Sequence, residues 1–173
     1  MSYFPIFVNL EGKHILVIGG GTIAARRIRT LLEFGCGITV VSPEICGELR
    51  ELMGLHSVCD QIIWKKKIYE TGDLDLKMDL PPKTDELLEW KTRKYEFVLS
   101  AATGEINDIV TRDCRKKKLP VNNASDRGQC DFYFPGIAKE GEIVVGITSG
   151  GRDHALAARI SESVRILLKK LFC

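Results

Sequence analysis

The apolar positions of this chain fall in short runs separated by longer stretches of helical spacing. Ile15 to Ile18 form the first run, which ends in Gly19-Gly20-Gly21. Thr22 to Phe34 follows as a helix-compatible stretch, and Ile38-Thr39-Val40-Val41 is the next run. Together they read as a strand–helix–strand unit of about 30 residues. Residues 44–53 again read as a helix, with Ile45, Leu49, Leu52 and Met53 on one face and Gly54 at the cap. Ile62-Ile63-Trp64 predicts a third strand, and Lys65-Lys66-Lys67 beyond it a solvated edge. Phe97 to Ala101 predicts a fourth strand. Ile106 to Lys117 predicts a helix, with Ile106, Ile109, Val110 and Cys114 on one face. Leu119 to Val121 predicts a short fifth strand that ends at Asn122-Asn123. This alternation indicates an α/β fold with a doubly wound, mostly parallel sheet.

Two regions depart from that rhythm. Residues 71–95 carry Gly72, an Asp/Leu alternation and Pro81-Pro82, and Thr84 is placed to cap a short helix through Lys94. They read as an insertion that decorates the sheet domain. After Asp131, the segments Phe132 to Ile137 and Ile143 to Ile147 flank Lys139-Glu140-Gly141-Glu142, which predicts a hairpin. A last amphipathic helix runs from its cap at Asp153 to Lys170, with Leu156, Ile160, Val164 and Leu167/Leu168 as its apolar stripe. Tyr3 to Leu10, with Pro5, reads as an edge strand or an arm. The expected division is a sheet domain over 1–122 and a hairpin with helix over 123–173. A hairpin alone is marginal, so it packs on its own domain or on a second copy, and a dimerisation region is the favoured expectation.

Gly19, Gly21 and Ala24 fit G-x-G-x-x-G/A, directly after an apolar strand and at the start of a helix. Glycine at 19 permits a sharp turn. Glycine at 21 leaves room for phosphate oxygens. A small residue at 24 lets helix and strand pack closely. The free amides and the positive end of the helix dipole then attract a diphosphate. The bland alternative is a glycine-rich turn that binds nothing. The second strand ends Ser42-Pro43-Glu44. Glu44 either holds ribose hydroxyls or complements the dipole of the next helix, and both readings stay open. No arginine follows it directly, so NAD is favoured over NADP.

The chain has 173 residues, which suits one domain or one domain with an appendage. Its 25 basic and 23 acidic residues leave a net charge of +2, which implies neither a nucleic-acid nor a membrane partner. The six cysteines form no C-x-x-C pair and only three histidines occur, so no metal site is expected. No secretory leader is expected, and no apolar run is long enough to span a bilayer. A reducing cytoplasm is the expected location.

Four segments, in order and spacing, resemble the precorrin-2 dehydrogenase family, the NAD-binding part of siroheme synthase. They are Phe4-Pro5-Ile6-Phe7 leading to Gly12-Lys13; Gly19 to Arg27 with Leu31-Leu32 and Val40 to Glu44; Ala101-Ala102-Thr103 with Asn107; and Val121-Asn122 through Cys130-Asp131-Phe132-Tyr133-Phe134-Pro135 to Thr148-Ser149-Gly150-Gly151 and Leu156-Ala157. The resemblance implies oxidation of precorrin-2 to sirohydrochlorin by hydride transfer to NAD. It also implies a homodimer with the fourth segment at its interface. Thr22 and Ile23 would touch the cofactor at the glycine turn, with Ser42, Pro43, Glu44 and Thr103 at neighbouring strand tips.

The substrate carries many carboxylates, and Arg26, Arg127, Arg152 and Arg159 are candidate partners. Arg127 and Arg152 are the preferred pair, with Asn122 and Asn123 beside them at a strand end. Where several members have an aspartate after the Ala-Thr pair, this chain has Gly104, so Glu105 becomes the candidate catalytic acid or base. Asp126, Asp131 and His154 are further ionisable groups without assigned roles. The chain stops at Cys173, before the helical region of bifunctional relatives, and no ferrochelatase activity is expected. The rival readings are a non-catalytic NAD-sensing module and a purely structural dimerisation subunit.

Overall fold

The computed structural model describes residues 3–75 and 94–172. The chain divides into two compact units, Asn9–Phe132 and the combination of Met1–Val8 with Tyr133–Cys173.

The larger unit is built on five parallel strands: β1 (His14–Ile18), β2 (Gly37–Val41), β3 (Ile62–Lys65), β4 (Phe97–Ser100) and β5 (Val121–Asn123). Their order is β3-β2-β1-β4-β5, with Ile15 paired to Ile38 on one side and to Phe97 on the other. The helices are α1 (Thr22–Leu32), α2 (Gly47–Met53) and α3 (Gly104–Lys117). Every residue of β1 and β2 is buried. That explains why their sequences run apolar rather than alternate: both faces of a parallel sheet are covered. α1 buries Ala24, Ala25, Ile28, Leu31 and Leu32, while Val110 and Cys114 of α3 join Leu16, Val98 and Val121 in one core. The expected α/β class and doubly wound parallel sheet are what the chain forms. Burial pushes the Cys36 and Cys114 thiols up to about 12, so both stay neutral packing groups.

Three boundaries differ from the sequence reading, each for a local reason. α2 starts at Gly47, not at residue 44, because the preceding backbone is engaged elsewhere: the Cys46 amide donates to the Gly20 carbonyl at 2.8 Å. α3 starts at Gly104, two residues early, with Thr103 as its extended N-cap residue. β5 starts at Val121, two residues late. Lys118 closes α3 in the left-handed conformation (φ 54°), the Leu119 amide returns to Cys114, and pairing with β4 begins only at Val98 opposite Val121.

After β3 the chain turns back to α3. Thr71 Oγ1 donates to Asp113 Oδ2 at 2.8 Å, and Lys116 pairs with the same buried carboxylate at 3.2 Å. The insertion helix expected from Thr84 lies outside the described residues, as does most of the proposed insertion.

The boundary expected between residues 122 and 123 falls between Phe132 and Tyr133 instead. Residues 124–132 fold back on the sheet. Asp131 accepts from the Val121 amide through its side chain and donates its own amide to the Val121 carbonyl, each at 2.9 Å. Phe132 packs its ring against Phe97, centroids 4.8 Å apart.

The smaller unit contains the antiparallel hairpin β6 (Gly136–Glu140) and β7 (Ile143–Ile147), turning at Gly141-Glu142, and the helix α4 (His154–Phe172). Asp153 caps α4 by accepting the Leu156 amide at 2.8 Å, as its sequence position suggests. Helix and hairpin meet closely at Gly136, where a Cβ would lie 2.2 Å from Ser161 Oγ. Arg165 Nη2 donates to the Ile137 carbonyl at 2.8 Å. The N-terminal segment is an arm rather than a strand, with Tyr3 set edge-on to Tyr133 at 5.0 Å.

Candidate functional site

The strand order reverses between β1 and β4: the chain leaves β1 for β2 and β3 on one side, then crosses to β4 and β5 on the other. Open α/β sheets bind ligands in the crevice outside the carboxyl ends of the strands at such a reversal. The carboxyl ends concerned are the glycine turn after β1, the Ser42-Pro43-Glu44 tip after β2 and the Ala101-Ala102-Thr103 turn after β4.

The three consecutive glycines serve three different purposes. Gly19 has φ +107°, and a Cβ there would lie 2.3 Å from the Ala101 carbonyl oxygen. Gly20 faces the other side, where a Cβ would lie 2.3 Å from the Glu44 carbonyl oxygen. Gly21 meets nothing within 4 Å. It is the N-cap residue of α1, with no side-chain cap and no acid in the first turn. A helix start left uncapped and open in this way suits an anion. Thr22 and Ile23 are exposed beside it. The residues present therefore fit the diphosphate of a dinucleotide. The motif itself leaves position 20 unspecified, and the contact with Glu44 is what requires glycine there. The unbroken Gly-Gly-Gly run was the available signal that it is not free.

The β2 tip is braced from behind. Ser42 Oγ donates to the Glu44 carbonyl at 2.6 Å, and the Trp64 indole N–H donates to the Ser42 carbonyl at 2.9 Å. The Ser42 hydroxyl thus shapes the tip, and the exposed Pro43 and Glu44 form its outer surface. Glu44 lies three residues ahead of α2, outside its first turn, where the acid is Glu48. The helix-dipole reading of Glu44 is thereby removed. Nothing in the sequence around Trp64 marks this brace.

On the β4 side Thr103 is exposed and Glu105 lies exposed in the first turn of α3. A Cβ at Gly104 would meet nothing within 4 Å.

Asn122 and Asn123 are not presented to a ligand. Each is 3% exposed. Asn122 Oδ1 accepts from Arg27 Nη1 at 2.5 Å, and its Nδ2 donates to the Phe132 carbonyl at 2.7 Å. Asn123 Oδ1 accepts from the Ser125 amide and hydroxyl at 2.9 and 2.8 Å, and its Nδ2 donates to Thr111 Oγ1 at 3.2 Å. Releasing either amide would strand buried partners at a cost of about 1–3 kcal/mol each. The expectation failed because β5 begins two residues late, which draws both asparagines from the strand end into the strand. Desolvation and neighbouring Arg26 push the Arg27 guanidinium below its usual value.

Arg127 is exposed in the loop after β5, whereas Arg152 and Arg159 belong to the smaller unit. Among the described residues no three His, Cys, Asp or Glu side chains converge as a metal site. No helix among them is long and apolar enough to cross a membrane.

The sheet order and the glycine turn define a Rossmann-type α/β domain. Residues 6–136 match the model of the family described as "Putative NAD(P)-binding", and the chain belongs to that family. It is 34% identical over 165 residues to the "Probable multifunctional siroheme biosynthesis protein HemA" of Ruminiclostridium josui, covering 94% of this chain and 28% of that protein. It is 31% identical over 177 residues to the siroheme synthase of Photorhabdus laumondii, covering 97% of this chain and 31% of that one. The chain thus spans about a third of the length of these relatives. Among solved structures, "SirC, precorrin-2 dehydrogenase" superposes with a TM-score of 0.72 at 24% identity, over 96% of this chain and 74% of that one. That likeness establishes a shared fold.

Proposed function

We propose that this chain binds NAD across the carboxyl edge of its sheet and oxidises precorrin-2 to sirohydrochlorin. The observation that carries the reading is the cradle at Gly21, an open and uncapped helix start at the strand-order reversal. The siroheme relatives, matched over nearly the whole of this chain, supply the substrate class. NAD, when bound, accepts a hydride at its nicotinamide ring, and a proton leaves the macrocycle to a base or to water. The amides of the glycine turn hold the diphosphate, Thr22 and Ile23 flank it, and the Pro43-Glu44 tip meets a ribose. Arg127 and Arg152 are the proposed carboxylate partners. Metal insertion is not part of the proposal.

Anaerobic incubation with precorrin-2 and NAD tests it, with a rise in NADH absorbance expected. Tight NAD binding without turnover would favour a sensing module, for which the bare position at Gly104 is the supporting observation. The absence of binding heat at millimolar NAD would overturn both. We assign Glu105 the proton-handling role. Glu105→Ala is expected to lower kcat by roughly a hundredfold while leaving NAD affinity unchanged, and an unaltered rate removes that role.

We further propose that the smaller unit forms a homodimer interface. Leu167 and Leu171 of α4 are 55% and 71% exposed, and Phe4 and Ile6 of the arm 86% and 76%. Large apolar side chains this exposed within one unit suit an interface with a second copy. Sedimentation at micromolar concentration is expected to give a dimer, and Leu167→Asp with Leu171→Asp a monomer. A monomeric wild-type protein refutes the assignment. A cytoplasmic location suits the five unpaired thiols among the described residues, and subcellular fractionation checks it.

A further inference from the structure

We propose that Asn107 is a positioning residue for the nicotinamide half of the crevice, an inference that rests on the NAD reading. Asn107 lies in the first turns of α3 and is 0% exposed. Its side-chain amide uses every polar position. Oδ1 accepts from Ser100 Oγ at 2.8 Å and from the Ala102 amide at 2.9 Å. Nδ2 donates to the Ala102 carbonyl at 3.2 Å and to Ser125 Oγ at 2.9 Å. Only a carboxamide offers two acceptor and two donor directions at a buried site of this size.

Those partners belong to the chain turns at the carboxyl ends of β4 and β5. Ser100 ends β4, and Ala102 is the middle of the turn that leads to α3. Ser125 lies in the turn after β5, where its own hydroxyl and amide are held by Asn123 Oδ1. One side chain therefore ties the β4 turn to the β5 turn. The turn it fixes is the one that Gly19 abuts: a Cβ at 19 would lie 2.3 Å from the Ala101 oxygen and 2.8 Å from the Ala102 nitrogen. The turn that Asn107 holds therefore lies directly beside the glycine turn.

The strand order assigns the half of the cofactor concerned. β1 lies between β2 and β4. With the diphosphate at the glycine turn and one ribose at the Glu44 tip after β2, the second nucleoside extends over the turn after β4. Asn107 is buried beneath that turn and acts through it, without touching the cofactor.

The test compares two probes by calorimetry: NAD, which reaches both halves, and ADP, which carries the adenosine and both phosphates only. Wild-type protein is expected to bind both. Asn107→Ala is expected to weaken NAD on the order of tenfold and ADP by less than about twofold. In turnover it raises KM for NAD and lowers kcat together. Ser125→Ala removes one of the four partners at an exposed residue and is expected to show the same selective loss at about threefold. A merely structural asparagine would lower both affinities alike, or neither, and either result overturns the inference. Should Asn107→Ala not fold, Ser125→Ala decides by the same ratio. Wild-type protein that binds ADP and NAD equally overturns the inference alone. Wild-type protein that binds neither overturns the NAD reading beneath it and the inference with it.

Discussion

Gly19→Ala is expected to cost about 3 kcal/mol or more of folding stability and to abolish NAD binding. Two independent penalties meet at this position. The backbone has φ +107°, a conformation that L residues rarely adopt. The added methyl would also lie 2.3 Å from the Ala101 oxygen and 2.6 Å from its carbonyl carbon. The obstruction is backbone at the end of a buried strand, so it cannot swing aside as a side chain would. Relief requires β1 and β4 to separate at their carboxyl ends, and the crevice is defined by those ends. Thermal unfolding measures the effect, with a midpoint expected to fall by roughly 10 °C. An unchanged midpoint would show that the turn yields and that the close approach is not enforced.

Gly21→Asp should behave in the opposite way. The position is open, with φ −81° and nothing within 4 Å of a built Cβ. Aspartate is a good N-cap residue, and α1 lacks a side-chain cap. Stability is therefore expected to stay level or to rise by about 1 kcal/mol. The same carboxylate occupies the proposed diphosphate station with a like charge, and NAD affinity is expected to fall at least about 100-fold. A rise in stability with a loss of binding is a pairing that no general damage to the fold produces. Calorimetry and thermal unfolding on one preparation read both quantities. Retained affinity would mean that the diphosphate is held elsewhere, and the cofactor assignment would fail.

These two glycines show how far the residues alone could be read. The motif located both, because glycine requirements at a strand–turn–helix junction are local and leave a local pattern. What each glycine does depends on distant chain. Gly19 meets Ala101, and Gly20 meets Glu44. Neither contact has a signature in the surrounding sequence. The strands were legible because burial on both faces forces apolar runs, and α4 because its cap and stripe repeat at helical spacing. The asparagines after Val121 were misplaced by a single backbone event, the left-handed Lys118. Lysine gives no warning of that conformation, as glycine would. The fold-back of residues 124–132 was equally hidden. It is held by Asp131 and by side-chain amides rather than by apolar periodicity, so the sheet unit extended past the place where the strand–helix rhythm ended. The four hydrogen bonds of Asn107 follow from tertiary placement and leave no local pattern.

Residues 1–8 and 133–173 share one unit, and the stretch between them forms the other. During synthesis the sheet unit can therefore complete its core as soon as Phe132 clears the ribosome, since units of this kind fold in the order they emerge. Tyr3, translated before the sheet unit, must wait for Tyr133. Until then the apolar residues beside it, Phe4, Ile6 and Phe7, are without the segment that completes their unit.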